Sequence, residues 1–356
     1  MKEIQYRKFS RRTHRKNLSL QRPNVCQFEL TFKCPLHCRH CYSECYNQPA
    51  CFKGELNTQE VKLILDKAHQ AGVIWVCFTG GDPLSRNDFS EIYSYAKEKG
   101  FITTVFTSGY LLDSKIIKLF ESRPPFVVEL TLNAVTQELY EKISQVKGSF
   151  PRVMQAIDLL IKHGVPVKIK TQVTKDNFQQ LPGIKSFIER LGLEFHPNYI
   201  LYPRLNKDPA PCNLRISPQE ILGLGAGNES LSACEDCSSL GFGPRTPSAD
   251  LFTCAIAGKD GFYIDPYGNI FFCLLLRKSG LNLLKTGIDQ ALNQLSPQIR
   301  NTKFLTDTKC RDCSLRSSCL WCPGKAYLEK SDPEAPLDYY CRLVRLQKML
   351  EKEIYV

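Results

Sequence analysis

The stretch TQEVKLILDKAHQAGVIWVCFT (58–79) carries a helix, a stop and a strand in direct succession. Val61, Ile64, Leu65 and Ala68 share one helical face, Thr58 is placed to cap the start and Gly72 to end it. WVCFT (75–79) then reads as a short β-branched and aromatic run. The same unit repeats outward in both directions. CQFELTF (26–32) precedes it, and FITTVFTS (101–108), FVVELTL (126–132), VPVKIKTQV (165–173) and EFHPNYIL (194–201) follow as strands. DFSEIYSYAKEKG (88–100) and VMQAIDLLIKHG (153–164) read as helices, and SFIERLG (186–192) as another after a Pro182-Gly183 break. Six strands separated by helices predict parallel βα units with right-handed crossovers. The fold class is α/β, and strand count and length favour a partial (β/α)6 TIM-like barrel over a flat doubly wound sheet. In both arrangements the chemistry sits at the C-terminal ends of the strands.

A chain of 356 residues with 43% hydrophobic content can bury a substantial core, which excludes a disordered or fibrous protein. Its 17 cysteines first suggest a disulfide-stapled secreted domain. The N-terminus, MKEIQYRKFSRRTHRKN, has no apolar stretch to act as a signal peptide, and no apolar run approaches the roughly 18 residues of a membrane span. A soluble, cytoplasmic protein with no membrane partner is therefore expected, and clustered cysteines in that compartment mean metal. Residues 1–23 hold eight cations and one acid, leaving 39 cations and 35 acids for the rest. This basic arm reads either as an attractor of nucleic acid, acidic peptide or anionic lipid, or as a frayed, solvated end.

The barrel is expected over 24–202, followed by a Pro-, Gly-, Ser- and Asn-rich bridging segment over 203–250. A cysteine-rich domain is expected over 251–345, and the end of a last helix over 346–356; that helix begins at Leu343 and closes at Ile354. Within the cysteine-rich part, GFYIDPYGNIFFC (261–273) reads as a hairpin turning at Pro266-Tyr267-Gly268-Asn269. Residues 310–341 hold five cysteines among few apolar runs, too little to fold without a staple.

Directly after the first strand, TFKCPLHCRHCYS (31–43) spaces Cys34, Cys38 and Cys41 as CxxxCxxC. Three thiolates on a tight loop can hold three irons of a 4Fe–4S cube and leave the fourth open. A zinc loop is the alternative, but zinc loops more often pair two-residue spacings and need a fourth ligand. The loop resembles the signature of the radical S-adenosylmethionine (radical SAM) enzymes, with His40 where that family places an aromatic residue. The resemblance implies that the open iron binds the methionine end of SAM, and that one electron then releases a 5′-deoxyadenosyl radical. It further implies SAM contacts from the Gly80-Gly81-Asp82 turn, where most relatives carry Glu in place of Asp82. Ser108 would lie near the SAM carboxylate, and Thr131 and Asn133 near the ribose. Strand alternation points Thr131 and Asn133 one way and Leu132 the other. Gln172, Lys175 and Asn177 read either as further cofactor contacts or as a solvated loop.

The remaining pattern is Cys254, Gly268, Cys273, then Cys310, Cys313, Cys319, Cys322 and Cys341. It resembles the SPASM extension of the same superfamily, which implies two auxiliary 4Fe–4S clusters and so three in all. By position, Cys254, Cys273 and Cys322 would ligate the inner one, and Cys310, Cys313, Cys319 and Cys341 the outer. Only Leu320 and Trp321 stand before Cys322, one residue fewer than the family pattern has. The fourth inner ligand is Cys234, Cys237 or an open position. Zinc is the competing occupant for the whole set. Cys26 and Cys77 read as core residues, and Cys45 and Cys51 lie just past the loop.

The resemblance implies an oxidative maturase of a ribosomally made precursor peptide, forming a crosslink, excising backbone or oxidising a side chain. Sulfatase maturation and oxidative decarboxylation of a haem precursor are the alternatives within the superfamily. A zinc-bearing, nucleic-acid-binding protein is the alternative of another class. About 25 residues precede the barrel, fewer than a fused leader-recognition module needs, so that task falls to a separate small protein or to the basic arm. A flavodoxin- or ferredoxin-type electron donor is implied as well. Glu29, Asp82, Tyr199 and Tyr202 lie near strand ends, and nothing in the sequence selects one as acid or base.

Overall fold

The computed structural model describes residues 5–20, 22–43, 48–224, 249–252, 261–277 and 280–354. Cys45, Cys234, Cys237 and Cys254, with much of the bridging segment, lie outside the described residues. The barrel runs β1 (Val25–Thr31), α2 (Thr58–Gln70), β2 (Trp75–Gly80), α3 (Phe89–Glu98), β3 (Ile102–Thr107), α4 (Ser114–Ser122) and β4 (Val127–Thr131). It continues through α5 (Gln137–Ser144), α6 (Ser149–Lys162), β5 (Val167–Gln172), α7 (Leu181–Arg190) and β6 (Glu194–Asn198). A helix α1 (Tyr6–Ser19) precedes it. Beyond it lie α8 (Pro218–Gly223), β7 (Gly261–Ile264), β8 (Asn269–Phe271), β9 (Leu281–Asn282), α9 (Ile288–Arg300), α10 (Pro323–Lys330) and α11 (Asp338–Ile354).

Strand order is β6-β5-β4-β3-β2-β1-β7-β8-β9, with β1 to β6 parallel. Sequential neighbours are the order of a barrel; a doubly wound sheet reverses at a switch point. β6 has a strand on one side only, so the six βα units form a partial barrel. Alternation assigns the two faces. Cys26, Phe28, Val76, Phe78, Val105, Val128, Leu130 and Ile169 are buried against Ile64, Leu65, Ile92, Ile117, Ile157 and Leu160 of the surrounding helices. The registers align Gln27, Cys77 and Thr104 on the opposite, lumen face, with Phe106 beside Glu129 and Thr131 beside Lys170. Cys77, expected in the core, is half-buried there with Glu129 and Lys170 as charged neighbours.

Local details differ from the sequence reading for physical reasons. The α2 cap is Asn57: its side chain accepts from Gln59 and Glu60 N–H while Glu60 reaches back, a reciprocal capping box. Thr58 instead bonds Asp88 at 2.6 Å. Pro182 and Gly183 do not break a helix but sit in the first turn of α7, where a missing N–H is harmless. The described part of the basic arm, residues 5–20, is not frayed. Its helix α1 crosses the N-terminal strand ends, with Tyr6 stacked on Phe126 (4.5 Å), His14 on Trp75 (4.8 Å) and Asn17 bonded to Asn24 (2.7 Å).

The hairpin forms as expected, turning at Gly268 (φ 84°), with the Asp265 carboxylate accepting from Tyr267 and Asn269 N–H. The cysteine-rich part is not separate from the barrel, however, because β7 pairs in parallel with β1 and extends the same sheet. Arg277 locks this junction. Its guanidinium meets the Glu29 carboxylate at 2.8 Å, with side chains 12% and 4% exposed. Leaving one buried charge unpaired costs about 3–5 kcal/mol. Arg277→Leu should therefore lower the chemical-denaturation stability by that order, and Glu29→Leu with Arg277→Leu should recover most of it. A double variant no more stable than the single would contradict this coupling.

Candidate active site

The loop after β1 is held from three sides. Thr31 Oγ1 and Phe32 N–H donate to the Glu55 carboxylate (2.8 and 2.7 Å), which fixes the turn out of the strand. His37 and Arg39 N–H donate to Ser144 and Ile143 carbonyls at the end of α5, and Arg39 pairs with Asp176 at 2.7 Å. Buried Arg204 donates to the Cys41 carbonyl at 2.6 Å and pairs with Asp208. None of Glu55, Asp176 or Arg204 was singled out from sequence, because each meets a partner far away along the chain, Asp176 through the Arg39 side chain and Glu55 and Arg204 through backbone atoms.

Cys34, Cys38 and Cys41 line one wall of a cavity of about 300 Å³ at the C-terminal strand ends. Burial pushes their thiols up, Cys38 to about 12, and the other loop cysteines add to the rise at Cys34 and Cys38. Three crowded, desolvated thiols become thiolates only if positive charge sits among them, so the donor set fits a metal cluster. His40 also lines the cavity, its pKa lowered to about 4 chiefly by burial, and its Nδ1 has no hydrogen-bond partner. A buried unpaired ring nitrogen fits a further polar group in that space.

Gly80, Gly81, Ser108, Thr131 and Asn133 line the same cavity. The glycines are required by the protein's own backbone. A Cβ on Gly80 would stand 2.2 Å from the Thr31 carbonyl oxygen, and one on Gly81 2.4 Å from that of Lys33. Asp82 stands behind the wall. Buried, it accepts from Thr107 Oγ1 (2.9 Å), Ser108 N–H (2.9 Å), Ser108 Oγ (2.6 Å) and Leu84 N–H (3.1 Å), joining the ends of β2 and β3. Its carboxyl pKa is raised, because burial outweighs those donors. Asn133 accepts from Gln172 N–H at 2.9 Å, and Leu132 is buried on the other face.

Gln172 lines the cavity; Lys175 reaches out to the Asn213 carbonyl, and buried Asn177 ties Asn133 to Gln172. Of the four candidate acids and bases, only Tyr202 lines the cavity. Glu29 is held by Arg277, and Tyr199 packs with Val173 and Ile221. Phe106, Lys170 and Asn198 also line it and were missed, although each occupies a lumen position in the period-2 pattern of its strand. Lys170 pairs with Glu129 and lies 3.8 Å from the centre of the Phe106 ring.

Cys310, Cys313, Cys319 and Cys341 surround a second cavity of about 340 Å³. Burial, with the other three thiols adding, pushes Cys310 up to about 11. Among the described residues no three His, Cys, Asp or Glu side chains converge to hold a single metal ion. Cys322 caps α10, its sulfur accepting from Lys325 N–H, and Cys273 accepts from Leu275 N–H, both at 3.4 Å. Burial raises the Tyr202 phenol, and Tyr263, Cys273, Cys41 and Cys322 are charged neighbours that add to the rise. Also among the described residues, no helix is long and apolar enough to cross a membrane.

Gly81→Ala tests the backbone seat. The added methyl meets carbonyls of Phe32 and Lys33 that cannot rotate away, so the variant should lose about 1–3 kcal/mol of stability and melt earlier by calorimetry. Unchanged melting would refute the contact.

Comparison with known proteins agrees with this geometry. An AdoMet-dependent heme synthase of Oleidesulfovibrio alaskensis is 31% identical over 49% of this chain and 45% of its own. A PqqA peptide cyclase of Granulibacter bethesdensis is 29% identical over 46% and 43%. The chain spans about half the length of the first curated relatives it matches. Streptococcus suis SuiB, solved bound to its precursor peptide SuiA, superposes with a TM-score of 0.70 at 17% identity, covering 93% of this chain and 80% of SuiB. The family model described as the radical SAM superfamily matches from the middle of β1 into α7. The matched stretch, residues 28–182, carries the cysteine loop and is similar to a radical SAM domain.

Proposed function

We propose that the chain is a radical SAM enzyme with three 4Fe–4S clusters that oxidatively modifies a ribosomally made precursor peptide. Cys34, Cys38 and Cys41 hold the first cluster, and the wall of His40, Gly80, Gly81, Ser108, Thr131 and Asn133 holds SAM, with Asp82 bracing that wall from behind. When bound, this pair supplies a 5′-deoxyadenosyl radical for hydrogen abstraction. The observation that carries the oxidative part is the second cavity, where four cysteines stand around a space far larger than one ion needs. Cys310, Cys313, Cys319 and Cys341 hold the outer auxiliary cluster. Cys273 and Cys322, with Cys254, hold the inner one.

A peptide substrate is supported by the likeness to SuiB over most of the chain and by the PqqA peptide cyclase relative. Tyr202, Tyr42 and Phe106 supply apolar cavity wall that excludes water. A haem-precursor substrate is the second reading, favoured by the heme synthase relative and by Lys170, a cation in the cavity wall suited to a propionate. Both readings call for a reducing, cytoplasmic setting and a one-electron donor of the flavodoxin or ferredoxin type. In the peptide reading, a separate small protein recognises the leader.

Anaerobic reconstitution should yield about twelve irons per chain, and fewer than about eight would sink the three-cluster reading. Replacing Cys34, Cys38 and Cys41 by Ala should remove about four irons and abolish 5′-deoxyadenosine formation. Incubation with a synthetic precursor peptide encoded beside the gene should give a product two hydrogens lighter. If an iron porphyrin carrying propionates loses carbon dioxide and the peptide stays unchanged, the haem reading replaces the peptide one.

A further inference from the structure

Lys170 and Glu129 face the barrel lumen from neighbouring strands, β5 and β4. Lys170 stands opposite Thr131 in the register, level with the cavity wall, and it lines the cavity. Its ammonium turns back toward the layer below, where Glu129 stands opposite Lys168, and pairs with the Glu129 carboxylate. It also lies 3.8 Å from the centre of the Phe106 ring. The Lys170 side chain is 41% exposed and that of Glu129 17%. A closed barrel ordinarily fills its lumen with bulky branched side chains. Here Gln27, Cys77, Thr104, Glu129 and Lys170 are all half-buried, so the lumen below the cavity is not packed shut.

In the peptide reading the substrate loses two hydrogens: a hydrogen atom goes to the deoxyadenosyl radical, an electron to an auxiliary 4Fe–4S cluster, and a proton to the protein. Few groups around the cavity can take that proton. The phenols of Tyr42, Tyr140 and Tyr202 keep their own near neutrality. His40 sits within the cysteine loop, on the wall assigned to SAM. Asp82 already accepts from Thr107, Ser108 and Leu84, and Glu29 is held by Arg277. Glu129 has Lys170 as its one side-chain partner among the described residues, which leaves lone pairs for a proton. An ammonium has three N–H groups; with Glu129 and the ring face each taking one, the third is left for a group in the cavity. Lysine can act as a base, whereas arginine stays protonated.

We propose that Lys170 and Glu129 form the proton relay of this oxidation, an inference that rests on the peptide reading. As the N–H, O–H or S–H beside the radical carbon gives its proton to Lys170 Nζ, Nζ passes another to the Glu129 carboxylate. Lys170 ends as the ammonium it began, and Glu129 ends neutral. The test uses the reconstituted full chain with SAM, dithionite and a saturating amount of the synthetic precursor peptide. Mass spectrometry reads oxidised peptide and 5′-deoxyadenosine from the same reaction. In E129Q the yield of oxidised peptide per 5′-deoxyadenosine should fall about 100-fold. K170R keeps the charge but cannot release a proton, and should fall as far. E129D keeps a carboxylate and should lose less than about tenfold.

An unchanged yield in E129Q overturns the proposal. So does a K170R yield near that of the parent, which would make Lys170 an anchor of charge and not a carrier of protons. Peptide affinity, read by fluorescence anisotropy of the labelled peptide, should move less than about threefold in E129Q. A loss of affinity as large as the loss of yield overturns the relay in favour of substrate binding. If E129Q does not fold, E129D and K170R decide: yield kept in E129D and lost in K170R supports the relay, and any other pattern refutes it. If the parent chain leaves the peptide unaltered, the peptide reading itself fails, and the relay fails with it.

Discussion

Two backbone hydrogen bonds hold the end of β2 against the chain leaving β1: Gly81 N–H to the Thr31 carbonyl at 2.7 Å, and Asp82 N–H to that of Lys33 at 2.8 Å. Everything the site needs is referred to this contact. It sets the distance between the cysteine loop and the glycine turn, two walls of one cavity that come from different βα units. It also explains the paired glycines, since the partner atoms are carbonyl oxygens of another segment and no rotamer change could clear them.

From that seam the fixing spreads sideways. Asp82 carries it to β3 through Thr107 and Ser108, while Asn133 and Asn177 tie the ends of β4 and β5 together. On the other side Glu29 and Arg277 carry it into β7 and the cysteine-rich part. Each link is a polar or charged group held by hydrogen bonds or an ion pair, which adds rigidity where such groups are buried. The site is thus braced by polar links across β1–β2–β3 and across β4–β5, and the sheet continues into the β7–β8 hairpin that leads to Cys273.

The architecture was legible because it rests on local signals. Strand and helix periods, with their stops, gave the six βα units, and the spacing of Cys34, Cys38 and Cys41 after the first strand marked the working end. Thr131 and Asn133 followed from the family resemblance, with which strand alternation agreed. The misses have a common cause. Glu55, Asp176 and Arg204 hold the cysteine loop from positions far off in sequence, Glu55 and Arg204 through its backbone and Asp176 through the Arg39 side chain, contacts that no local spacing announces. Asp82 looked like a cavity residue because it adjoins two that are. The basic N-terminal residues suggested a loose arm because charge dominates their composition. The anchoring comes from Tyr6, His14 and Asn17, whose partners Phe126, Trp75 and Asn24 stand at or one residue before the starts of β4, β2 and β1.

Among the described residues the sheet ends on two edge strands, β6 and β9. Such edges invite pairing with a strand of another molecule. At β6 the invitation is blunted: Glu194 and His196 are exposed, Lys168 pairs with Glu194, and Pro197 lacks an N–H altogether. At the other end β9 is only two residues long, too short to template a partner. The protein can thus leave its half-barrel open without presenting either rim as a site of aggregation.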